Sequence, residues 1–183
     1  PILKCIQYTD YSLRQLFKKI KNEPWYENTL FVFTADHCSS DIIFDESRTT
    51  RGLFSVPIFF FKPDNSLGSM EPQIIQQADI MPSILGYLHY DKPYFAFGRD
   101  VFRERTTPVA FNYRDSYNLF MDDYLLNFNG EKTVGLYNFK TDKLLTNDLK
   151  NSNTEIVGQM ENKMKAVIQQ YNNRMIDNKL IVR

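Results

Sequence analysis

The stretch TLFVFTADHC, residues 29–38, decides the reading of this chain. Leu30, Phe31, Val32 and Phe33 form an apolar run without alternation, the pattern of a strand buried on both faces inside a parallel sheet. The run gives way at Thr34-Ala35-Asp36-His37, a carboxylate beside an imidazole at the strand's carboxyl end, where open α/β sheets gather their ligands. Asp36 and His37 offer one hard oxygen and one borderline nitrogen to a divalent metal. On spacing alone the pair fits either half of a metal site or a loop cap beside a satisfied histidine. Cys38 as a nucleophile would need a supporting base and an oxyanion site, and neither can be pointed to, so it reads as an ordinary thiol.

Upstream, Leu3, Ile6, Leu13, Phe17 and Ile20 fall at helical spacing, and Lys18, Lys19 and Lys21 suit a helix C-terminus. Asn22-Glu23-Pro24 closes that helix. Downstream, Ser39 to Arg51 is a polar loop of the kind that carries sites. Its Arg48 and Arg51 are candidates to hold an anionic group bidentately, against the plainer reading of solvated loop arginines. Ser39, Ser40, Asp41, Asp45 and Glu46 add oxygens but no assignable ligand. Val56 to Phe61 reads as a second buried strand with Pro57 near its start, where a missing donor is tolerable. A helix is expected over about Ile74 to Tyr90, with His89 as a histidine of its C-terminal turn and Pro82 accommodated. Helix, strand, loop, strand, helix is the rhythm of a parallel α/β sheet.

Near Thr106 the character changes. Val109–Tyr113, Tyr117–Phe120, Tyr124–Asn127 and Thr133–Tyr137 are short runs split by polar turns, and Asn129-Gly130 is a hairpin signal. They predict a small antiparallel sheet. A final helix is expected with Ser152 as its cap, Glu155 completing a capping box, and Ile156, Met160, Met164, Val167 and Tyr171 as its buried stripe. The chain thus divides into residues 1–105 and 106–183.

Composition excludes several classes. The 183 residues carry 22 basic and 22 acidic side chains, and this balance gives no electrostatic ground for nucleic acid or an anionic membrane surface. No apolar run approaches the roughly 20 residues needed to span a bilayer, so no membrane contact is expected of this chain. Cys5 and Cys38 fit no zinc or redox spacing. No glycine-rich phosphate cradle is present. The opening at Pro1, directly into a helix, reads as a piece of a longer polypeptide.

Taken together, YTDYSLRQLFKKIKNEPWYENTLFVFTADH (8–37), GLFSVPIFFFKPD (52–64) and QQADIMPSILGYLHYDKPYFAFGRDVF (76–102) resemble the lipoteichoic acid synthase-like branch of the alkaline phosphatase/sulfatase superfamily. VGLYNFKTDKLLTNDL (134–149) is similar to the C-terminal subdomain of these proteins. The resemblance implies the C-terminal part of an alkaline phosphatase-like α/β sandwich, with a small antiparallel sheet and a long C-terminal helix. It implies a metal-assisted sulfatase or phosphoglycerol transferase acting on sulfate or phosphate esters, with Mn²⁺, Mg²⁺ or Zn²⁺ held in part by Asp36 and His37. The nucleophile and remaining ligands belong to a part of the family domain that lies ahead of these blocks, so no catalytic residue is assigned here and the chain alone is expected to be inactive. The parent is expected outside the cytoplasm, anchored in the inner membrane, and the truncated sheet edge is expected to self-associate. The rival expectation is a non-enzymatic partner-binding α/β module whose Asp-His pair is structural.

Overall fold

The computed structural model describes residues 2–39, 44–68, 73–103 and 107–182. Ser40, Asp41 and the division expected at residues 105 and 106 lie outside them. The elements are α1 (Ile2–Ile20), β1 (Phe31–Thr34), α2 (Thr50–Phe54), β2 (Ile58–Phe61), α3 (Ile80–Tyr87), β3 (Val109–Arg114), β4 (Ser116–Met121), β5 (Tyr124–Phe128), β6 (Thr133–Asn138) and α4 (Thr154–Ile176). Single 3₁₀ turns occupy Asp45–Arg48 and Gln77–Asp79.

The two N-terminal strands correct one expectation: β1 and β2 pair antiparallel, Phe31 opposite Phe61 and Phe33 opposite Phe59. An unbroken apolar run reports burial, not direction. Direction follows from the connection, and the described part of the link between these strands holds only one-turn helices, short of the helix that a parallel crossover normally uses. The pairing puts Phe31, Phe33, Phe59 and Phe61 on one face. Phe17 of α1 packs onto it, its ring 5.4 Å from Phe31, 6.0 Å from Phe33 and 5.7 Å from Phe61. On the other face Phe60 meets Phe102 at 5.0 Å. Phe59 stays 51% exposed, so the strands are not buried on both faces as expected.

The helix expected over residues 74–90 is shorter. Residues 73–76 are irregular, and α3 runs only from Ile80 to Tyr87. Pro82 explains the late start, because a proline fits a helix's first turn, where no N–H partner is needed, better than its interior. His89 follows α3 with φ +53° and its Nδ1 lies 2.8 Å from Arg103 Nη2, a helix-end role.

β3 to β6 form an antiparallel meander in sequence order, as the short runs predict. At its β5–β6 turn Asn129 Oδ1 accepts from the amides of Glu131 and Lys132, both at 2.9 Å, and Gly130 takes φ +102°. Alternation along the strands then builds two cores. Leu119, Leu126, Phe128 and Leu136 meet Met160 and Met164 of α4, while Phe120, Leu125 and Phe139 face Ile74 from the N-terminal half. The α4 cap differs from expectation: Asn153 holds the N-cap position, and Ser152 Oγ is spent on the carbonyl of Leu149 at 3.1 Å.

Glu161 ties α4 to β6, accepting from the Thr133 amide at 3.1 Å and Thr133 Oγ1 at 2.6 Å. Lys165 first, then Thr133, hold its carboxyl below the ordinary value of 4.5. A depressed folded value stabilises above the ordinary value, and the contribution is lost as pH falls through the folded one. Glu161→Gln is therefore expected to flatten the loss of stability as pH falls below 4.5, checked by denaturant titration at each pH.

Candidate metal-ligand loop and groove

β1 ends at Thr34, and the chain turns at once to present Asp36 and His37. Their geometry follows from three local contacts. Asp36 Oδ1 accepts from the His37 amide at 2.9 Å, fixing the carboxylate beside the loop. His37 Nδ1 lies 2.7 Å from the Cys38 carbonyl, so Nδ1 carries a proton and Nε2 is the ring nitrogen left to face a cation. Nε2 then stands 3.5 Å from Asp36 Oδ2, with the side chains 78% and 88% exposed. Two ligand atoms thus converge outward with open space beyond them. A ring N–H tied to a backbone carbonyl is what metal-ligating histidines use to hold their orientation. The pair fits half of a divalent cation site by donor type and tautomer. Among the described residues no group of three or more His, Cys, Asp or Glu side chains completes it.

A groove of about 470 Å³ opens beside this loop, lined by His37, Cys38, Ser39, Glu46, Arg51 and Lys143 among others. Arg51 donates from Nη1 to the Phe139 carbonyl at 3.2 Å, and its guanidinium lies 5.5 Å from the centre of the Phe139 ring. Lys143, from the segment after β6, reaches Glu46 at 3.7 Å across the groove. Arg48 goes elsewhere: it lines a neighbouring depression with Asn127 and Tyr137, 3.9 Å from Asp45. The structure therefore brings Arg51, and not Arg48, beside His37. Cys38 gives its S–H to the Leu53 carbonyl at 2.8 Å, consistent with an ordinary thiol.

Two residues of this neighbourhood escape sequence reasoning. Lys143 is 106 positions from His37, and nothing local marks it. Gln77 donates from Nε2 to the carbonyls of Ala35 at 2.7 Å and Asp36 at 3.2 Å. Gln77 is 41 positions from Asp36, and nothing local marks it either.

Residues 2–90 match the Sulfatase family model. An arylsulfatase of Clostridium perfringens (strain 13 / Type A) is 25% identical over 114 residues, 56% of this chain and 23% of that protein. A sulfatase of Formosa agariphila is 26% identical over 86 residues, 45% of this chain and 17% of that protein. The chain thus spans less than a quarter of the length of these curated relatives. The crystal structure of Ps i-CgsB superposes with a TM-score of 0.66 at 18% identity, covering 86% of this chain and 40% of that one. The same protein in complex with k-i-k-neocarrahexaose gives 0.61 at 17% identity. The structural likeness carries the fold, an alkaline phosphatase-like α/β arrangement with small antiparallel sheets and a long C-terminal helix. The sequence matches support the sulfatase family.

Proposed function

We propose, from the premise that residues 2–90 are sulfatase-family sequence, that this chain is the C-terminal part of a metal-dependent enzyme acting on sulfate or phosphate esters. It supplies half of the metal site and is inactive alone. The convergence of Asp36 Oδ2 and His37 Nε2, with Nδ1 tied back to Cys38, is the observation that carries this reading. Bound there, a divalent cation (Mn²⁺, Mg²⁺ or Zn²⁺) would lower the nucleophile's pKa and offset charge on the transferred group. The chain's own residues do the rest of what this half contributes. Asp36 and His37 orient the ligand atoms. Arg51, restrained by the Phe139 carbonyl and ring, keeps a cation in the groove for an anionic ester, and Lys143 adds a second. Arg48 serves the outer depression, where it would meet only an extended substrate.

Both curated relatives are sulfatases, which favours sulfate esters. The oligosaccharide in the Ps i-CgsB complex favours a carbohydrate as their carrier. Phosphoglycerol transfer of the lipoteichoic acid synthase-like kind is the second chemistry, supported by the order of the sequence blocks. We place the parent outside the cytoplasm with a membrane anchor elsewhere in its chain. Among the described residues no helix is long and apolar enough to cross a membrane. The two-stranded β1–β2 sheet and the exposed Leu3, Ile6, Leu16 and Phe59 support self-association through the N-terminal region.

Mn²⁺ titration of the chain tests the half-site. Binding is expected to weaken more in Asp36→Ala and His37→Ala than the roughly 10–100-fold that loss of an outer-shell partner costs. Binding that survives both substitutions would overturn the assignment and favour the partner-binding module with a structural Asp-His pair.

A further inference from the structure

We infer that Gln77 is a positioning residue for the Asp36-His37 pair, its carboxamide bridging the two backbone carbonyls that flank the Asp36 Cα; this rests on the metal-site reading above. The carbonyl of Ala35 belongs to the peptide unit entering Asp36, and the carbonyl of Asp36 to the unit leaving it. The orientations of those two planes are the φ and ψ of Asp36. Gln77 Nε2 donates to both, at 2.7 and 3.2 Å. One amide group therefore fixes the direction in which the Asp36 side chain leaves the loop and the starting direction of His37. Regular structure ends at Thr34, so no strand ladder does this work for residues 35–38.

Gln77 can act as a fixed arm because its neighbours are pinned. Asp79 is 1% exposed, and its carboxylate accepts from the Gln76 amide at 3.0 Å and the Arg99 amide at 2.9 Å. Ser83 Oγ donates to the Asp79 carbonyl at 2.6 Å, and Gln76 Oε1 accepts from the Phe111 amide at 3.2 Å. Residues on both sides of Gln77 are thus bonded to α3, to the Gly98-Arg99 segment and to β3. The turn at 77–79 is a hub, and Gln77 extends from it across 41 positions of sequence to the loop.

The substitution that isolates this role is Gln77→Glu. It keeps the shape but replaces a donor with an acceptor facing two carbonyl oxygens; Gln77→Ala removes the arm altogether. Two readouts are taken on each variant of the 183-residue chain: amide hydrogen exchange at His37 without metal, and Mn²⁺ affinity. Both variants are expected to exchange the His37 amide at least about tenfold faster, with an unchanged unfolding midpoint. Both are expected to bind Mn²⁺ about tenfold or more weakly. Gln77→Lys, which restores a donor, is expected to recover His37 protection. Unchanged exchange in both variants overturns the proposal, and so does faster exchange with Mn²⁺ affinity intact. If the parent chain binds no Mn²⁺ yet Gln77→Glu still frees the His37 amide, the metal reading fails while Gln77's hold on the loop stands.

Discussion

Asp79→Ala is expected to lower the stability of the chain by about 4 kcal/mol, the largest loss foreseen for any single polar side chain here. The carboxylate is buried at 1% exposure and accepts the amides of Gln76 and Arg99, 23 positions apart. Deleting it leaves the buried Arg99 amide and the half-buried Gln76 amide without the partner they have, at about 1–3 kcal/mol each. Against a total of about 5–15 kcal/mol for a domain of ordinary stability, that is a large fraction. Asp79→Asn keeps the shape and one acceptor oxygen, and about half the loss is expected. Denaturant unfolding followed by circular dichroism checks both. A loss under about 1 kcal/mol in Asp79→Ala would mean that the junction does not depend on this carboxylate. The Mn²⁺ affinity of any folded Asp79→Ala population is expected to fall as well, since the turn that carries Gln77 is bonded through Asp79.

The C-terminal half of the fold is readable in the sequence, and the N-terminal half is readable only in part, for a physical reason. β3 to β6 are written in local signals: runs of five or six residues, and an Asn-Gly whose side-chain oxygen and left-handed glycine build the turn without outside help. The stripe on α4 is similarly local: Met160 and Met164 are buried where spacing puts them, while Tyr171 at the far end of the expected stripe is 49% exposed. β1 and β2 are recognisable as strands, but their antiparallel pairing depends on how the polar connection folds back, which hydrophobicity does not encode. The Ser152 cap fails because α4 begins at Thr154 with Asn153 as its N-cap, one residue later than the capping-box spacing places it.

The site shows the same division. Asp36 and His37 stand out because they are adjacent and follow an apolar run. The tautomer of His37 is invisible in sequence, since it is set by a backbone carbonyl one residue on. Arg48 and Arg51 look interchangeable three positions apart. They separate because the Phe139 carbonyl draws Arg51 into the groove while Arg48 stays beside Asp45. Gln77 and Lys143 arrive through long-range contacts and carry no local mark. Donor type is local information, whereas orientation and electrostatics are supplied by distant segments.

Gly98→Ala is expected to cost about 3 kcal/mol and to loosen the candidate metal-ligand loop from a distance. Gly98 lies against the 77–79 turn so closely that an added Cβ would sit 2.0 Å from the Ala78 carbonyl oxygen, 2.3 Å from its carbon and 2.6 Å from the Asp79 nitrogen. These are backbone atoms, held by Asp79's bonds to Gln76 and Arg99, so they cannot swing aside as a flexible side chain would. One of the two segments must retreat by about 1 Å, and overpacking of this kind costs about 1–3 kcal/mol, towards the upper end where backbone has to move. The displaced residue adjoins Gln77, whose 2.7 Å bond to the Ala35 carbonyl would lengthen. Weaker Mn²⁺ binding is thus expected together with lower stability. Gly158 supplies the control within the same chain. It lies in α4 with nothing within 4 Å of an added Cβ, so Gly158→Ala is expected to stabilise by about 1 kcal/mol, the helix-propensity difference between the two residues. The same chemical change should therefore have opposite signs at the two sites. A Gly98→Ala midpoint that does not fall would show that Gly98 is not a point of close approach, and the transmission from Gly98 to Asp36 would lose its physical basis.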